Sequence, residues 1–216
     1  MYTPFYEFNG IGPYCETCYR ERPPCDICGA PRTDEQWLLS DGRILCAHCH
    51  STAIYAPAAA SALYEEMKAI IVARLNLTLN IPTGLALVDQ NQLSKVLQIG
   101  EQFEPRNTLG VYARRGMRRG IYVQSGLPHM LFLQVAAHEY AHAWQGENCP
   151  VLKDVLVHEG FAEWVAYKVI GFYGYSKGQE RMYRREDIYG RGLKWSLDIE
   201  AGQGITGVIE ACRRSA

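Results

Sequence analysis

The sequence predicts an α+β protein: a mainly helical core with a small antiparallel sheet, preceded by a small cysteine-rich module. Apolar residues recur at helical spacing over several long segments, and short strand-like runs lie between them. Six of the eight cysteines form three Cys-x-x-Cys pairs within the first 50 residues. We therefore place a cysteine module over 1–52 and the helical core over 53–216.

Composition narrows the class of protein and its expected location. The chain has 216 residues, of which 48% are hydrophobic and 21% charged, with a net charge of −1. This balance gives no reason to expect a nucleic-acid or membrane partner, and no apolar run is long enough to cross a bilayer. Because the N-terminus lacks the pattern of a signal peptide, we expect a cytoplasmic protein, whose clustered cysteines bind zinc rather than form disulfides.

The cysteine module predicts a structural zinc site formed by Cys25, Cys28, Cys46 and Cys49. Seventeen residues separate the two pairs, a spacing typical of four-cysteine zinc fingers. We expect a knuckle at the first pair, a hairpin that turns at 40–42, and a helix that opens at the second pair. Four protein ligands close the coordination shell, so this site has no open position for catalysis.

The remaining pair, Cys15 and Cys18, leaves three alternatives open. It can be the second half of a finger whose first half is missing. It can also replace Cys46 and Cys49 as the pair that shares a zinc ion with Cys25 and Cys28. It can also recruit His48 or His50 to a second zinc ion. The sequence therefore predicts one or two structural zinc ions. Residues 1–14 are expected to form an irregular arm.

The core elements follow from periodicity and turn residues. Helices are predicted over 57–75, 89–97, 127–145, 151–172, 177–188 and 203–213. Strands are predicted over 85–88 and, on either side of an arginine-rich turn, within 109–125; a further turn is predicted over 189–192. An arginine run of this kind is most often a solvated hairpin tip, although it could also steer an acidic partner.

The buried helix over 127–145 carries a His-Glu-x-x-His motif. Four residues of helix turn by about 400°, so His138 and His142 lie on one face and can bind one zinc ion. Glu139 lies beside them and can accept a proton from a water molecule that the zinc activates. The alternative is a pair of core histidines bonded to backbone.

The next helix offers the third ligand of this zinc. Glu159 and Glu163 share one helix face, and we choose Glu159 because the glycine after it allows a neighbouring helix to come close. Glu163 is then a supporting carboxylate that fixes the tautomer of a ligand histidine; otherwise it is an ordinary surface acid. His158 is a rival ligand.

A candidate for substrate binding lies directly upstream of the motif. The second predicted strand contains Ile121, Tyr122, Val123, Gln124 and Ser125 and runs into the metal-binding helix. If this strand lies at an edge of the sheet, it can pair with an extended peptide through backbone hydrogen bonds. We therefore predict that it is the substrate strand.

Taken together, these residues resemble the plant DA-one family of LIM-containing, ubiquitin-activated metallopeptidases. The likeness runs through the finger at 24–49, Thr-Leu-Gly at 108–110, the segment from Ile121 to Gly-Leu-Pro at 126–128, the motif at 138–144, Glu-Gly at 159–160 and Tyr-Gly-Arg-Gly at 189–192. The Glu-Gly segment also resembles the third-ligand helix of the His-Glu-x-x-His peptidases called gluzincins.

The resemblance implies a gluzincin-like peptidase core behind a LIM-like, treble-clef zinc finger. It implies that His138, His142 and Glu159 bind the catalytic zinc and that Glu139 is catalytic. The implied activity is endopeptidase cleavage of selected proteins. The ubiquitin-interacting helices of the family have no counterpart in this sequence, so ubiquitin is a partner by resemblance alone. The compact form suggests a stand-alone and, in one interpretation, bacterial relative.

Two other functions stay open at this point. The chain can be an adaptor whose peptidase fold binds protein partners without hydrolysis, or a zinc hydrolase of a non-peptide amide. A deep, closed pocket favours a hydrolase of a non-peptide amide, whereas an open groove beside a strand favours a peptide substrate. A peptidase also needs a donor for the oxyanion, which we expect to be a tyrosine or a histidine.

Overall fold

The computed structural model describes residues 5–8, 11–97, 108–116 and 118–215, and its fold is α+β. The N-terminal part contains strands β1 (Phe5–Phe8), β2 (Ile11–Cys15), β3 (Gln36–Leu38) and β4 (Ile44–Cys46) and helices α1 (Glu16–Glu21) and α2 (Ala47–Ser51). The rest contains β5 (Ala53–Ile54), α3 (Pro57–Leu75), β6 (Gly84–Val88), α4 (Gln90–Leu97), β7 (Gly110–Arg115), β8 (Arg118–Gln124), β9 (Leu127–Pro128), α5 (His129–Asn148), α6 (Val155–Phe172), α7 (Ser176–Arg184) and α8 (Ile188–Arg214). None of the described helices is both long and apolar enough to traverse a bilayer.

The core forms where α5 packs on α6 and α6 packs on α8. Its largest fully buried side chains include Phe132 and Tyr140 of α5 and Phe161 and Trp164 of α6. Helix α5 is apolar around most of its circumference because neighbours surround it, as the sequence indicates. The Tyr140 hydroxyl keeps a polar partner inside this core by donating to the carbonyl of Leu77.

Two aspartates set the starts of α6 and α8. Asp154 accepts hydrogen bonds from two backbone N–H groups of α6, and Asp187 accepts one from Gly190. The predicted turn over 189–192 is therefore wrong: this stretch is the first turn of α8. The predicted 203–213 helix is the C-terminal part of the same element, which bends at Gly204, where φ is +70°.

The glycine after Glu159 has the role predicted for it. A Cβ on Gly160 would lie 2.6 Å from the carbonyl oxygen of Gly192, and a Cβ on Gly192 would lie 2.5 Å from Cα of Gly160. Helices α6 and α8 therefore cross backbone to backbone at this point. The crossing requires glycine at 160 and 192, whereas Gly190 is needed because a Cβ there would overlap the carbonyl oxygen of Arg185.

The sheet contradicts the prediction that Ile121–Ser125 is an edge strand. The strand order is β6-β8-β7, and β8 pairs with β6 in parallel and with β7 antiparallel. Ile121 and Val123 are fully buried, and the N–H of Ser125 donates to the carbonyl of Val88. Both sides of β8 are occupied, so the free edge nearest to α5 among the described residues belongs to β7.

The hairpin and the helix predicted for the cysteine module are both present. Strands β3 and β4 form the antiparallel hairpin, and Cys46, the first cysteine of the last pair, directly precedes α2. Ahead of it, the expected irregular arm is instead largely an antiparallel hairpin of β1 and β2. Stacking of Tyr6 on Tyr19 of α1, with ring centroids 4.2 Å apart, supports that hairpin.

The module packs on the segment that leads into α5. Strand β5 pairs with β9, and Nη2 of Arg43 donates to the carbonyl oxygen of Ser125 at 2.7 Å. Asp41 binds Arg43 and also accepts a hydrogen bond from the N–H of Gln90 at the start of α4. The module is thus joined to the segment before α5 and to the start of α4 by hydrogen bonds of Arg43 and Asp41, and the Asp41–Arg43 ion pair holds these two side chains together.

The glycine crossing gives a stability prediction. Gly160→Ala should lower the free energy of unfolding by about 1–3 kcal/mol, because the new methyl group meets rigid backbone. Gly202→Ala is the control: it is an exposed position of α8 with no atom within 4 Å of the new Cβ, so the change should be neutral or stabilising by up to about 1 kcal/mol. Urea unfolding of the metal-loaded protein measures both, and equal effects would contradict the crossing.

Candidate functional site

The two motif histidines and Glu159 form a compact group of potential metal ligands. The Nε2 atoms of His138 and His142, one turn apart on α5, are separated by 3.0 Å. Oε2 of Glu159, from α6, lies 3.3 Å from Nε2 of His138 and 3.6 Å from Nε2 of His142. These three atoms form a triangle that can hold one metal ion.

The other residues considered for the third position lie outside this triangle. Oε2 of Glu163 approaches Nδ1 of His138 at 3.2 Å, behind the ring and away from the triangle. The His158 ring stacks on His142 with centroids 4.3 Å apart, and its Nδ1 lies 3.1 Å from Oε1 of Glu159. The ligand triangle therefore contains Glu159, while Glu163 contacts a ligand histidine from behind.

Each motif histidine has a second hydrogen bond that orients its ring. Glu163 is only 3% exposed and lies between His138 and Arg185, whose Nη1 donates to Oε1 of Glu163 at 3.1 Å. Nδ1 of His142 lies 2.8 Å from Oε1 of Gln145. Because such bonds fix ring rotation and tautomer, they direct both Nε2 atoms into the triangle.

Glu139 lies beside the triangle and is held by the sheet. Its Oε2 accepts a hydrogen bond of 2.7 Å from the backbone N–H of Tyr112 in β7. The strand can come this close only because residue 110 is glycine: a Cβ on Gly110 would lie 2.5 Å from Cγ1 of Val135. Strand β7 thus fixes the Glu139 carboxylate next to the candidate metal site.

A cleft of about 630 Å³ passes over this group and is lined by β7, α5 and the start of α6. Leu131 and Val135 of α5 line one end, and Gly146 and Cys149 line the other. From Leu131 to Gly146, which both lie on α5, the helix rises 1.5 Å per residue, so this floor of the cleft is about 23 Å long. An extended peptide of about seven residues spans that length.

Tyr189 and His158 line the cleft next to the motif histidines, and each can donate a hydrogen bond to an oxyanion. The Tyr189 ring lies 6.0 Å from the His138 ring, and the Arg185 guanidinium stacks over it at 4.7 Å. Burial, aided by the nearby carboxylate of Glu159, raises the pKa of Tyr189. The hydroxyl therefore keeps its proton at neutral pH and is available as a donor.

The second candidate metal group consists of the Sγ atoms of Cys25, Cys28, Cys46 and Cys49, which all lie within 4.8 Å of one another. Sγ of Cys28 and Sγ of Cys46 are 3.8 Å apart, and the N–H of Cys46 donates to Sγ of Cys25. Hydrogen bonds from Cys28 and Cys49 lower the pKa of the Cys25 thiol. This favours a thiolate, the form that binds metal.

Cys15 and Cys18 lie outside this group, so they do not replace Cys46 and Cys49. Cys15 precedes α1 with φ −73° and ψ 162°, and Cys46 precedes α2 with φ −73° and ψ 163°. Cys15 and Cys18 therefore follow a hairpin and open a helix, as Cys46 and Cys49 do. Of the three alternatives for Cys15 and Cys18, the second half of a finger is the one that has this local geometry.

The expected recruitment of His48 or His50 to Cys15 and Cys18 is not observed. His48 is exposed, and the His50 ring stacks on Trp37 with centroids 4.3 Å apart. In the described part of the chain, none of these four potential ligands belongs to a group of three that could hold a metal ion. The structure therefore brings together one cysteine metal site rather than two.

Comparison with protein-family models, with curated proteins and with solved structures finds no match for this chain. The functional argument therefore depends on the geometry of the site.

Sequence reasoning missed three residues of this site. Gln145 follows His142 by three positions, so its contact could have been found from helical spacing. Arg185 and Tyr189 come from the loop before α8 and from its first turn, more than 40 residues beyond the motif. No local pattern connects those two residues to the histidines.

The two groups predict two metal ions per chain. Cys49→Ser should remove one and His142→Ala the other, because each substitution deletes one ligand of a different group. Metal analysis of purified protein measures this, with Cys212→Ser as control because Cys212 belongs to neither group. Loss of both ions in either single variant, with the fold intact by circular dichroism, would contradict two separate sites.

The pKa of His138 gives a second prediction for the metal-free protein. Burial acts to lower this pKa, but hydrogen bonds to Glu159 and Glu163 outweigh burial and raise it to about 10. The ring is therefore protonated at pH 8, and a metal binds only the neutral ring. Zinc binding to this site at pH 8 should release about one proton, and the release should disappear above pH 10.

Calorimetric titration of zinc in two buffers with different ionisation enthalpies measures this release. The control is the His138→Gln variant, which lacks a ligand of this site, so its titration measures zinc binding to the cysteine group alone and is subtracted. After this subtraction, identical enthalpies of the wild-type protein in the two buffers would contradict the prediction.

Proposed function

We propose that this protein is a zinc-dependent endopeptidase that hydrolyses peptide bonds of selected protein substrates. The observation that carries the proposal is the ligand triangle of His138, His142 and Glu159 with the Glu139 carboxylate held beside it. Three protein ligands leave one position of a tetrahedral zinc open, as a catalytic site requires. A structural site has no such position.

Both candidate groups have spacings that suit zinc. Tetrahedral zinc with nitrogen and oxygen ligands at about 2.0–2.2 Å sets them about 3.3–3.6 Å apart. The two sides of the triangle that end at Glu159, 3.3 and 3.6 Å, fall in this range, and the side between the histidines, 3.0 Å, is slightly shorter. Thiolates at about 2.3 Å from zinc are about 3.8 Å apart, as are Sγ of Cys28 and Sγ of Cys46. We therefore propose one catalytic and one structural zinc.

We assign substrate pairing to β7 instead of β8. The carbonyl of Leu109, the residue just before β7, accepts a hydrogen bond from the N–H of Gln124 in β8. The N–H of Tyr112 in β7 instead donates to Glu139. Hydrogen bonds of an antiparallel strand alternate between its two sides. The backbone groups of Gly110, Tyr112 and Arg114 therefore face the cleft. An extended peptide can add to this edge, which favours a peptide over a non-peptide amide.

The residues of the site have different roles in hydrolysis. A zinc ion in the triangle supplies a Lewis acid that polarises the scissile carbonyl and lowers the pKa of water. Glu139 accepts the proton of the attacking water and delivers it to the leaving amine nitrogen. The N–H of Tyr112 holds the Glu139 carboxylate in place for both transfers. Tyr189 or His158 donates a hydrogen bond to the developing oxyanion.

The resemblance to the DA-one metallopeptidases supports the same proposal. On this view the core is gluzincin-like and the cysteine module is a LIM-like finger. The partner is a protein or peptide substrate rather than nucleic acid or membrane, and the location is cytoplasmic. Ubiquitin stays a partner implied by the family alone.

The test replaces the proposed base. Glu139→Gln should lower kcat/KM by at least about 100-fold while the metal content stays at the wild-type value, because Glu139 is not in the ligand triangle. Glu210→Gln, an exposed change of the same chemistry on α8, is the control. Cleavage of an unbiased peptide library is the measurement, and unchanged cleavage by Glu139→Gln would favour a binding platform without hydrolysis.

A further inference from the structure

Among the described residues, Arg114 is the cleft-lining cation that has no protein partner. Arg114 is exposed, and its guanidinium group forms no ion pair or hydrogen bond with any of the described residues. The other arginine of the cleft, Arg185, is bound to Glu163 and Asp187. On β8, Arg119 lies directly opposite Arg114 and is bound to Glu147.

The position of Arg114 along β7 places it at one end of the cleft. The Cβ direction of Gly110 meets Val135 on α5, and the Tyr112 ring lies over Gly146, about three turns further along the same helix. Arg114 continues this alternation on the same face of the strand, about 7 Å beyond Tyr112. It therefore lies toward the C-terminal end of α5, past the metal triangle.

The acidic groups of the cleft are all engaged by other residues. Glu139 is bound to the N–H of Tyr112, Glu159 contacts both motif histidines, and Glu163 is bound to Arg185. None of them neutralises Arg114. The end of the cleft at Arg114 thus presents one uncompensated positive charge beside a strand edge that can pair with substrate.

We propose that Arg114 selects substrates with an acidic side chain at one position to that side of the scissile bond. This inference rests on the proposed function and specifies its substrate class: acidic peptide segments bound in extended form along β7. A guanidinium group can bind a carboxylate through two parallel hydrogen bonds, which distinguishes glutamate from the isosteric glutamine. The opposite end of the cleft, at Leu131 and Val135, offers apolar contacts and no such discrimination.

The test compares matched peptides that differ only by Glu against Gln at each position around a cleavage site found in the library. The wild-type protein should prefer Glu at one position by about threefold to fivefold in kcat/KM. The preference should shrink at 0.5 M salt, where exposed charges are screened. Arg114→Gln should reduce it to about one, and Arg114→Glu should reverse it, so that the Gln peptide becomes the better substrate.

The control is Arg115→Glu, which changes the net charge by the same amount at the next position. Arg115 is exposed on the opposite face of β7 and does not line the cleft, so this variant should keep the preference for Glu. Equal loss in Arg114→Glu and Arg115→Glu would indicate a diffuse field and overturn the inference, as would a wild-type protein without a charge preference. No cleavage of any peptide by metal-loaded protein would overturn the proposed function as well.

Discussion

The structure depends on one electrostatic constraint: two imidazole nitrogens face each other at 3.0 Å inside a helical core, with a carboxylate beside them. Neutral imidazoles in this arrangement present lone pair to lone pair, so a cation must occupy the space between them or a proton must bind there. Although burial acts to lower the pKa of His138, its hydrogen bonds to Glu159 and Glu163 raise it to about 10, which favours the proton on His138 at neutral pH in the metal-free protein. A metal ion would replace that proton and satisfy all three potential ligands together.

The surrounding fold keeps this arrangement from relaxing. The glycine crossing packs the first turn of α8, which carries Tyr189, directly against α6 beside Glu159, and Glu163 with Gln145 holds the rings from behind. Gly110 lets β7 approach from the other side and bind Glu139 through backbone. Glycine contacts and buried hydrogen bonds are therefore as much part of the site as the ligands.

Local sequence patterns predicted the features of the protein that depend on residues close together in the sequence. The His-Glu-x-x-His helix, the four-cysteine group and the glycine after Glu159 follow from spacing and side-chain size. The place of β8 in the sheet could not be predicted, because strand order is set by partners distant in sequence, and the buried run 121–123 fits a central strand as well as an edge. The start of α8 was missed because its glycines resemble a turn until the packing against Gly160 is known.

The contact between the cysteine module and the core links two chemistries that the sequence places in separate domains. Strand β5 directly follows the module and pairs with β9, the last residues before α5, while Arg43 binds the Ser125 carbonyl just ahead of that strand. The carbonyl of Thr52, the last residue of the module, accepts a hydrogen bond from the N–H of His129, so the module contributes to the first turn of α5. In evolutionary terms the two segments form one heritable unit: exchanging the module for an unrelated one would also have to rebuild the entrance of the helix that carries the histidines.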